Sequence, residues 1–231
     1  TEGFEELWDI VKEYTPEKVG EICCIDPEDL KAAARIYAKA ERAPIFYAMG
    51  VTQHSTGTAG VMSVASLALL CGKVGKYGCG VNPLRGQNNV QGACDMGCLP
   101  GDYTGYQKVA NPEARAKFER AWGVGLSSRP GLTITEVMDA IESGEVRCLY
   151  IMGENPMVSD PNLNHVEHAL RSCELLIVQD IFLTETAELA DVVLPATCYA
   201  EKEGTVTNTE RRVQMIRRAV PGPGDSRDDW M

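Results

Sequence analysis

Residues 84–92, LRGQNNVQG, hold the densest set of side chains that could bind a ligand. Arg85 presents a rigid guanidinium fork that suits a carboxylate or a phosphate. The four amide side chains of this segment, including that of Gln87, can each donate and accept hydrogen bonds, and its two glycines let the backbone approach a ligand closely. A surface loop that satisfies its own turns with Asn and Gln side chains is the alternative. The residue types alone favour neither interpretation.

Three further polar segments follow stretches that the apolar pattern predicts as strands. Residues 50–58, GVTQHSTGT, precede a predicted helix, so the hydroxyls and the helix-start amides could hold a phosphate, although the segment matches neither a Walker loop nor GxGxxG. Asn155 lies in a turn, GENP, that could contact a ribose or a base. Asp180 ends the next strand, where an acidic group often accepts a hydrogen bond from a nucleotide. A plain turn and a helix N-cap are the alternatives for the last two segments.

The elements that must position these segments begin with an N-terminal helical region. Residues 1–40 are predicted to be helical, with Thr15 and Asp26 as N-caps. Residues 75–105 form a long Gly-, Asn- and Gln-rich loop that we expect to be ordered. Strands are predicted at 43–50, 146–152, 174–179 and 191–194, and helices at 56–73, 112–122, 133–143, 162–172 and 184–190.

This alternation of strands and helices is typical of a parallel sheet with covering helices. We predict an α/β fold whose parallel sheet carries helices on both faces, a Rossmann-like three-layer αβα arrangement. Ligands of such sheets bind beyond the carboxyl ends of the strands. The polar segments that follow the predicted strands are therefore the expected binding edge.

Composition and charge argue against several classes of function. The 231 residues carry a formal net charge of −11, which disfavours a nucleic-acid-binding surface built from clustered Lys and Arg. The longest apolar stretch, residues 61–72, is too short to cross a membrane. Nine cysteines without a CxxC pair favour free thiols in a reducing cytoplasm over disulfides or a metal site. Thr1 is not an initiator methionine, so we expect a piece of a larger protein.

Five segments together resemble the molybdenum- or tungsten-dependent formate dehydrogenases. They are GVTQHSTGT, LRGQNNVQGACDMG, IMGENP, VQDIFLTETAELADVVLPA and EKEGTVTNTERRVQ. They occur in the family's order, and the resemblance covers residues 43–230. LRGQNNVQGACDMG is highly specific, whereas TETAELADVVLPA is shared more widely among enzymes that carry bis-(molybdopterin guanine dinucleotide).

The resemblance implies a mechanism and a set of site residues. Formate would be oxidised to carbon dioxide at a molybdenum or tungsten atom held by two pyranopterin dithiolenes and a Cys or selenocysteine. Electrons would leave through a 4Fe-4S cluster toward electron-transfer subunits. Arg85 matches the family's arginine near the metal, which is thought to bind the formate carboxylate. Seven residues fall where the family binds the two guanine dinucleotide arms: Gly50, Gln53, Gln87, Asn155, Ser159, Gln179 and Asp180.

Two departures from the family limit what this chain is expected to hold. Neither the cysteine-rich motif of the cluster nor the Cys-His or selenocysteine-His pair of the metal ligand occurs in it. We therefore expect the central part of a catalytic subunit, with no metal ligand of its own and inactive without the remaining domains. Residues 1–110 would belong to a first α/β cofactor-binding domain, and residues 111–231 to a βαβ cofactor-binding portion. Another molybdopterin oxidoreductase such as nitrate reductase, which QNNVQGACDMG disfavours, and a non-catalytic nucleotide-binding domain are the alternatives.

Overall fold

The computed structural model describes residues 2–231, which form two compact units. The first unit ends at Gly86 and the second spans Gln87–Met231, so the division lies inside the polar stretch 75–105. The boundary predicted near residue 110 concerns the domains of a longer subunit and stays a prediction. Within residues 2–231, no helix combines the length and the apolar character that crossing a membrane requires.

Within the described residues, the first unit combines two parallel strands with five helices, two of which, α2 (Pro16–Cys23) and α3 (Pro27–Lys39), begin at a side-chain cap. Both predicted N-caps are confirmed, because the Thr15 hydroxyl accepts from the Lys18 N–H and the Asp26 carboxylate accepts from the Glu28 N–H. β1 (Pro44–Tyr47) and β2 (Gly80–Pro83) pair in parallel, so their carboxyl ends meet at one edge. The elements are α1 (Phe4–Val11), α2 (Pro16–Cys23), α3 (Pro27–Lys39), β1 (Pro44–Tyr47), α4 (Met49–Thr52), α5 (Gly57–Leu70) and β2 (Gly80–Pro83).

The second unit is built around a three-stranded parallel sheet in the order β5 (Cys148–Met152), β6 (Leu175–Asp180) and β7 (Val192–Pro195). An antiparallel hairpin of β8 (Gly204–Thr207) and β9 (Val213–Ile216) follows it in sequence. This arrangement of parallel strands and connecting helices confirms the predicted α/β class. The elements are α6 (Val90–Asp95), β3 (Asp102–Tyr103), β4 (Gln107–Lys108), α7 (Pro112–Trp122), α8 (Ile134–Glu142), β5 (Cys148–Met152), α9 (Pro156–Ser159), α10 (Leu163–Ser172), β6 (Leu175–Asp180), a 3-10 helix (Ala187–Leu189), β7 (Val192–Pro195), β8 (Gly204–Thr207) and β9 (Val213–Ile216).

The stretch 75–105, which the sequence predicts as one long loop, differs from that expectation in detail. It is ordered, but it contains the short elements β2, α6 and the start of the β3–β4 pair. The longest of these, α6, has six residues. Such elements are too short to produce a recognisable apolar period, which is why the sequence pattern does not reveal them.

The core of the second unit lies on one face of its three-stranded sheet. Helices α8 and α10 pack there, and Met138, Val166, Leu176 and Val178 are at most 2% exposed. The opposite face carries apolar side chains that are between 37% and 52% exposed: Tyr150, Met152, Leu175 and Leu194. Parallel sheets are normally covered on both faces. The second layer of helices therefore stays a prediction for a longer chain.

Candidate functional site

A cavity of about 560 Å³ opens at the carboxyl end of the three-stranded sheet of the second unit. Gln179 and Asp180 at the end of β6 line it, and Asn88 also contributes to its wall. This is the edge at which parallel sheets bind ligands, as the sequence predicts. Carboxylates outnumber cations in the wall, which favours ligand groups that donate hydrogen bonds, such as a base edge or ribose hydroxyls. The charged lining residues are Asp180, Lys202, Glu203 and Asp229.

The structure divides the LRGQNNVQG motif into an exposed part and a structural part. Arg85, Gln87 and Asn88 are exposed. Asn89 instead has a left-handed backbone, with φ 59°, and its Oδ1 accepts a hydrogen bond from the Thr207 N–H at 2.9 Å. The side chains available to a ligand are therefore those that precede Asn89.

The far end of the motif is buried because it packs against its own unit. Gln91 Nε2 donates to Asp95 Oδ1 at 2.8 Å and to the Tyr106 hydroxyl at 3.1 Å. Gly92 lies so close to Asn89 that an added Cβ would approach Asn89 Oδ1 to 2.1 Å. The alternative interpretation, in which Asn and Gln side chains form hydrogen bonds within the chain, therefore holds for this half of the motif.

In the first unit, the parallel pairing of β1 and β2 brings three predicted residues to one sheet edge. Arg85 follows the end of β2, while Gly50 lies in α4 directly after β1 and Gln53 follows α4. The two strand ends touch, since an added Cβ on Gly86 would lie 2.9 Å from Met49 Cε. Arg85, Gly50 and Gln53 are all exposed, so the edge is open to a ligand.

Asn155 links the loop after β5 to the loop after β6. Its Oδ1 accepts hydrogen bonds from the Thr186 hydroxyl at 2.7 Å and the Thr186 N–H at 3.3 Å. Its Nδ2 donates to Glu185 Oε2 at 2.8 Å. The Thr186 side chain is fully buried, and its hydroxyl also accepts from the Met157 N–H at 3.1 Å. Both ends of the Asn155 amide are therefore occupied by the chain.

The hydrogen bond from Asn155 holds the pKa of Glu185 below its ordinary value of 4.5. A lowered pKa means that the folded chain binds the proton less tightly than the unfolded chain does. The bond consequently favours the folded state above pH 4.5, and that contribution is lost as the pH falls through the lower pKa of the folded state.

Ser159 and Asp180 also have partners within the second unit. The Ser159 hydroxyl donates to Glu154 Oε1 at 2.8 Å. Asp180 Oδ1 accepts from the Phe182 N–H at 3.1 Å in a bend. The alternative of a helix N-cap is wrong, because the next helix begins only at Ala187, but one oxygen of Asp180 is occupied by the chain. Because Asp180 lines the cavity and has a second carboxylate oxygen, it can still accept a hydrogen bond from a ligand.

Replacing Thr186 by valine tests the link between the two loops. The substitution removes the donor to Asn155 and the acceptor for the Met157 N–H, and we expect it to cost about 1–3 kcal/mol of local stability. Hydrogen exchange at the Met157 amide, followed in the full-length subunit, should therefore accelerate. Thr209→Val at an exposed position is the matched control and should leave this exchange unchanged. An unchanged Met157 exchange rate in Thr186→Val would contradict the assignment.

Comparison with known proteins shows the family to which this architecture corresponds. Residues 29–231 match the sequence family described as molybdopterin oxidoreductase. The chain belongs to the molybdopterin oxidoreductase family. Acetylene hydratase from Pelobacter acetylenicus has the same fold over 99% of this chain, with a TM-score of 0.69 at 21% sequence identity. The match covers 34% of that structure.

Within the molybdopterin oxidoreductases, the similar curated relatives include formate dehydrogenases. The chain is 58% identical over 232 residues to the F420-dependent formate dehydrogenase subunit alpha of Methanocaldococcus jannaschii, and 50% identical over 231 residues to formate dehydrogenase H of Escherichia coli. These matches cover all of this chain and 34% and 32% of the two relatives. The chain thus spans about a third of the length of its relatives. The resemblance predicted from the five motifs is confirmed.

Membership of the molybdopterin oxidoreductase family supports a molybdopterin cofactor, and the cavity residues fit part of such a group. The cavity of about 560 Å³ is in the size range of cofactor sites. Its amide, carboxylate and hydroxyl groups, from Asn88, Asp180 and Thr205, can hydrogen-bond a nucleoside. The direct roles of the predicted site residues in cofactor binding stay predictions.

Sequence reasoning missed Lys202 and Asp229, which face each other as an ion pair in the cavity wall. Lys202 lies in the EKEG segment, and its residue type alone suggests an exposed surface charge. Asp229 is far along the chain, beyond the β8–β9 hairpin. The position of EKEGTVTNTERRVQ among the quoted motifs was the signal that could have singled out Lys202, and none of the quoted motifs contains Asp229.

Proposed function

We propose that this chain is the central, molybdopterin-guanine-dinucleotide-binding portion of a formate dehydrogenase catalytic subunit. The complete subunit would oxidise formate to carbon dioxide with transfer of two electrons. The observation that carries the proposal is the identity of 50–58% to formate dehydrogenase subunits over the full length of this chain. The exposed Arg85 at the strand edge of the first unit supports it, because a guanidinium binds the carboxylate of formate well.

The residues of this chain would bind and orient the reactants. When bound, the cofactor, bis-(molybdopterin guanine dinucleotide) with molybdenum or tungsten, supplies the redox centre. Arg85 would hold formate by its carboxylate, and Gly50 and Gln53 would contact one cofactor arm at the same sheet edge. On the second unit, Gln87 and Asp180 are the predicted residues with free hydrogen-bonding capacity for the other arm.

The remaining parts of the proposal concern what lies outside this segment. The metal ligand and a 4Fe-4S cluster would come from other domains of the same subunit, and further subunits would accept the electrons. We place the enzyme in the cytoplasm. All nine cysteines are free thiols in the structure, which supports a reducing compartment.

The test is purification of the full-length subunit under anaerobic conditions. We expect formate-dependent reduction of a viologen dye, together with a pterin, guanine nucleotide and molybdenum or tungsten in the denatured protein. Absence of pterin and guanine nucleotide would contradict the proposal. A loaded subunit that reduces nitrate and does not oxidise formate would instead favour the nitrate reductase alternative.

A further inference from the structure

The carboxamide of Gln179 is fully engaged with other parts of the second unit. Gln179 is 7% exposed, and its Oε1 accepts a hydrogen bond from the Tyr150 hydroxyl. Its Nε2 donates to the backbone carbonyl of Asp229 at 3.2 Å and to Asp229 Oδ1 at 3.3 Å. These partners fix which end of the amide carries the nitrogen. Although Gln179 lines the cavity, both ends of its amide are committed to the chain.

Asp229 also pairs with a charged group in the same wall, so the hydrogen bond from Gln179 limits where that group can lie. While Gln179 holds Asp229 Oδ1, Asp229 Oδ2 pairs with Lys202 Nζ. The Lys202 side chain is only 28% exposed, so its position depends on this partner more than a solvated lysine would. Lys202 is the single lysine or arginine among the described residues that line the cavity. Its ammonium is therefore the group there best suited to a ligand acceptor atom.

The segment that carries Asp229 is itself anchored at the sheet. Asp228 is buried and accepts from Arg218 Nη2 at 3.2 Å and from the Thr197 hydroxyl at 3.4 Å. The Thr197 N–H donates to the Arg227 carbonyl at 3.1 Å. This anchoring sets the path of the backbone and leaves the Asp229 side chain to be oriented by Gln179.

We infer that Gln179 is a positioning residue, which orients the Asp229–Lys202 pair so that Lys202 contacts the cofactor. This inference rests on the proposed function, because the ligand of the cavity is taken to be a guanine dinucleotide arm. It changes the role expected for Gln179 from direct contact to support. It also adds Lys202 to the residues that contact the cofactor.

Gln179 could contact the cofactor directly or orient Asp229. Exchanging the hydrogen-bond donor and acceptor between Gln179 and Asp229 in the full-length subunit separates these two roles. Gln179→Glu removes the donor and places two carboxylates together, so Lys202 should lose its orientation. In Gln179→Glu/Asp229→Asn, the new amide nitrogen donates to the new carboxylate, so the hydrogen bond returns with its polarity reversed, and the new amide oxygen is left to accept from Lys202 Nζ. The net charge of the pair is unchanged by the exchange.

The readout is the rate at which native protein releases guanine nucleotide after transfer to cofactor-free buffer. We expect about tenfold faster release in Gln179→Glu, corresponding to a coupling of about 1.4 kcal/mol, and a return to within about threefold of the unmodified rate in the exchanged pair. Lowering the pH should slow release from Gln179→Glu, because the protonated carboxyl regains a donor toward Asp229. Lys202→Met should release the nucleotide about as fast as Gln179→Glu.

An exchanged pair that releases the nucleotide as fast as Gln179→Glu would overturn the inference, because retention of the nucleotide would then not follow from the hydrogen bond between residues 179 and 229. Release at the unmodified rate from Lys202→Met would also overturn it. If Gln179→Glu does not fold, Tyr150→Phe provides the second variant, with about threefold faster release expected and an unchanged rate counting against the inference. An unmodified subunit that contains no guanine nucleotide would contradict the proposed function itself.

Discussion

Arg85→Lys in the full-length subunit should lower kcat/KM for formate oxidation by about 100-fold while leaving the cofactor content close to that of the unmodified enzyme. Lysine keeps the positive charge but loses the planar fork that binds both oxygens of a carboxylate. Arg85 is exposed at the end of β2, so the substitution should not disturb the packing of the first unit. Steady-state viologen reduction gives the kinetic effect, and the guanine nucleotide content of the denatured protein gives the cofactor loading.

The matched control is Arg42→Lys, at an exposed arginine of the same unit that lies over the Tyr77 ring. It should leave both the kinetics and the cofactor content unchanged. Unchanged kinetics in Arg85→Lys would exclude the carboxylate-binding role. A loss of cofactor that equals the loss of activity would assign Arg85 to cofactor retention rather than to formate.

The second large effect is expected from Gly57→Ala, which should lower the stability of the fold at the start of α5. Gly57 is buried, and a Cβ added there would lie 2.1 Å from the Thr52 carbonyl oxygen and 2.8 Å from the Thr52 carbonyl carbon. Backbone atoms cannot move aside as the end of a flexible side chain can. We therefore expect Gly57→Ala to destabilise the turn between α4 and α5 by about 3 kcal/mol. Hydrogen exchange of the α5 amides in the full-length subunit should accelerate by more than about 100-fold.

Gly60→Ala on the same helix separates this clash from the general effect of adding a methyl group. The nearest atoms to its added Cβ belong to Val51, at 3.4 Å, which is ordinary contact distance. Alanine also favours the helical state by about 1 kcal/mol over glycine. We expect α5 exchange in Gly60→Ala to be unchanged or slower. Equal hydrogen-exchange rates of the α5 amides in Gly57→Ala and Gly60→Ala would contradict this prediction. They would show that the turn between α4 and α5 accommodates the added methyl group with no loss of stability.

Local signals explain why much of the fold could be predicted. The caps at Thr15 and Asp26 and the helix from Pro112 to Trp122 depend on neighbouring residues, and the structure has them where the sequence places them. The edge of the sheet could also be predicted, since strand ends follow from the apolar runs and ligands bind there. Gln179 and Asp180 accordingly line the cavity.

The sequence does not show which polar side chains are hydrogen-bonded within the chain and which stay free for a ligand, because this depends on residues that are far away in sequence. Asn155 is occupied by Thr186, which lies 31 residues away, and Gln179 is occupied by Asp229, which lies 50 residues away. In sequence, Asn89 looks as available to a ligand as its neighbour Asn88 does. Residue type therefore indicates the capacity to bind, while tertiary contacts decide which side chains remain free to do so.

The hydrogen bond between Asn89 and Thr207 has a consequence for the order of folding. It joins residues 118 positions apart, whereas β5, β6, β7 and their helices come from one contiguous stretch, 134–195. Closing a long loop costs more entropy than local pairing, so the sheet should form first. Pulsed hydrogen exchange during refolding should accordingly protect the Val178 amide before that of Thr207. During synthesis Asn89 leaves the ribosome long before its partner exists, so this part of the cavity wall can form only after the chain has been made as far as Thr207 in β8.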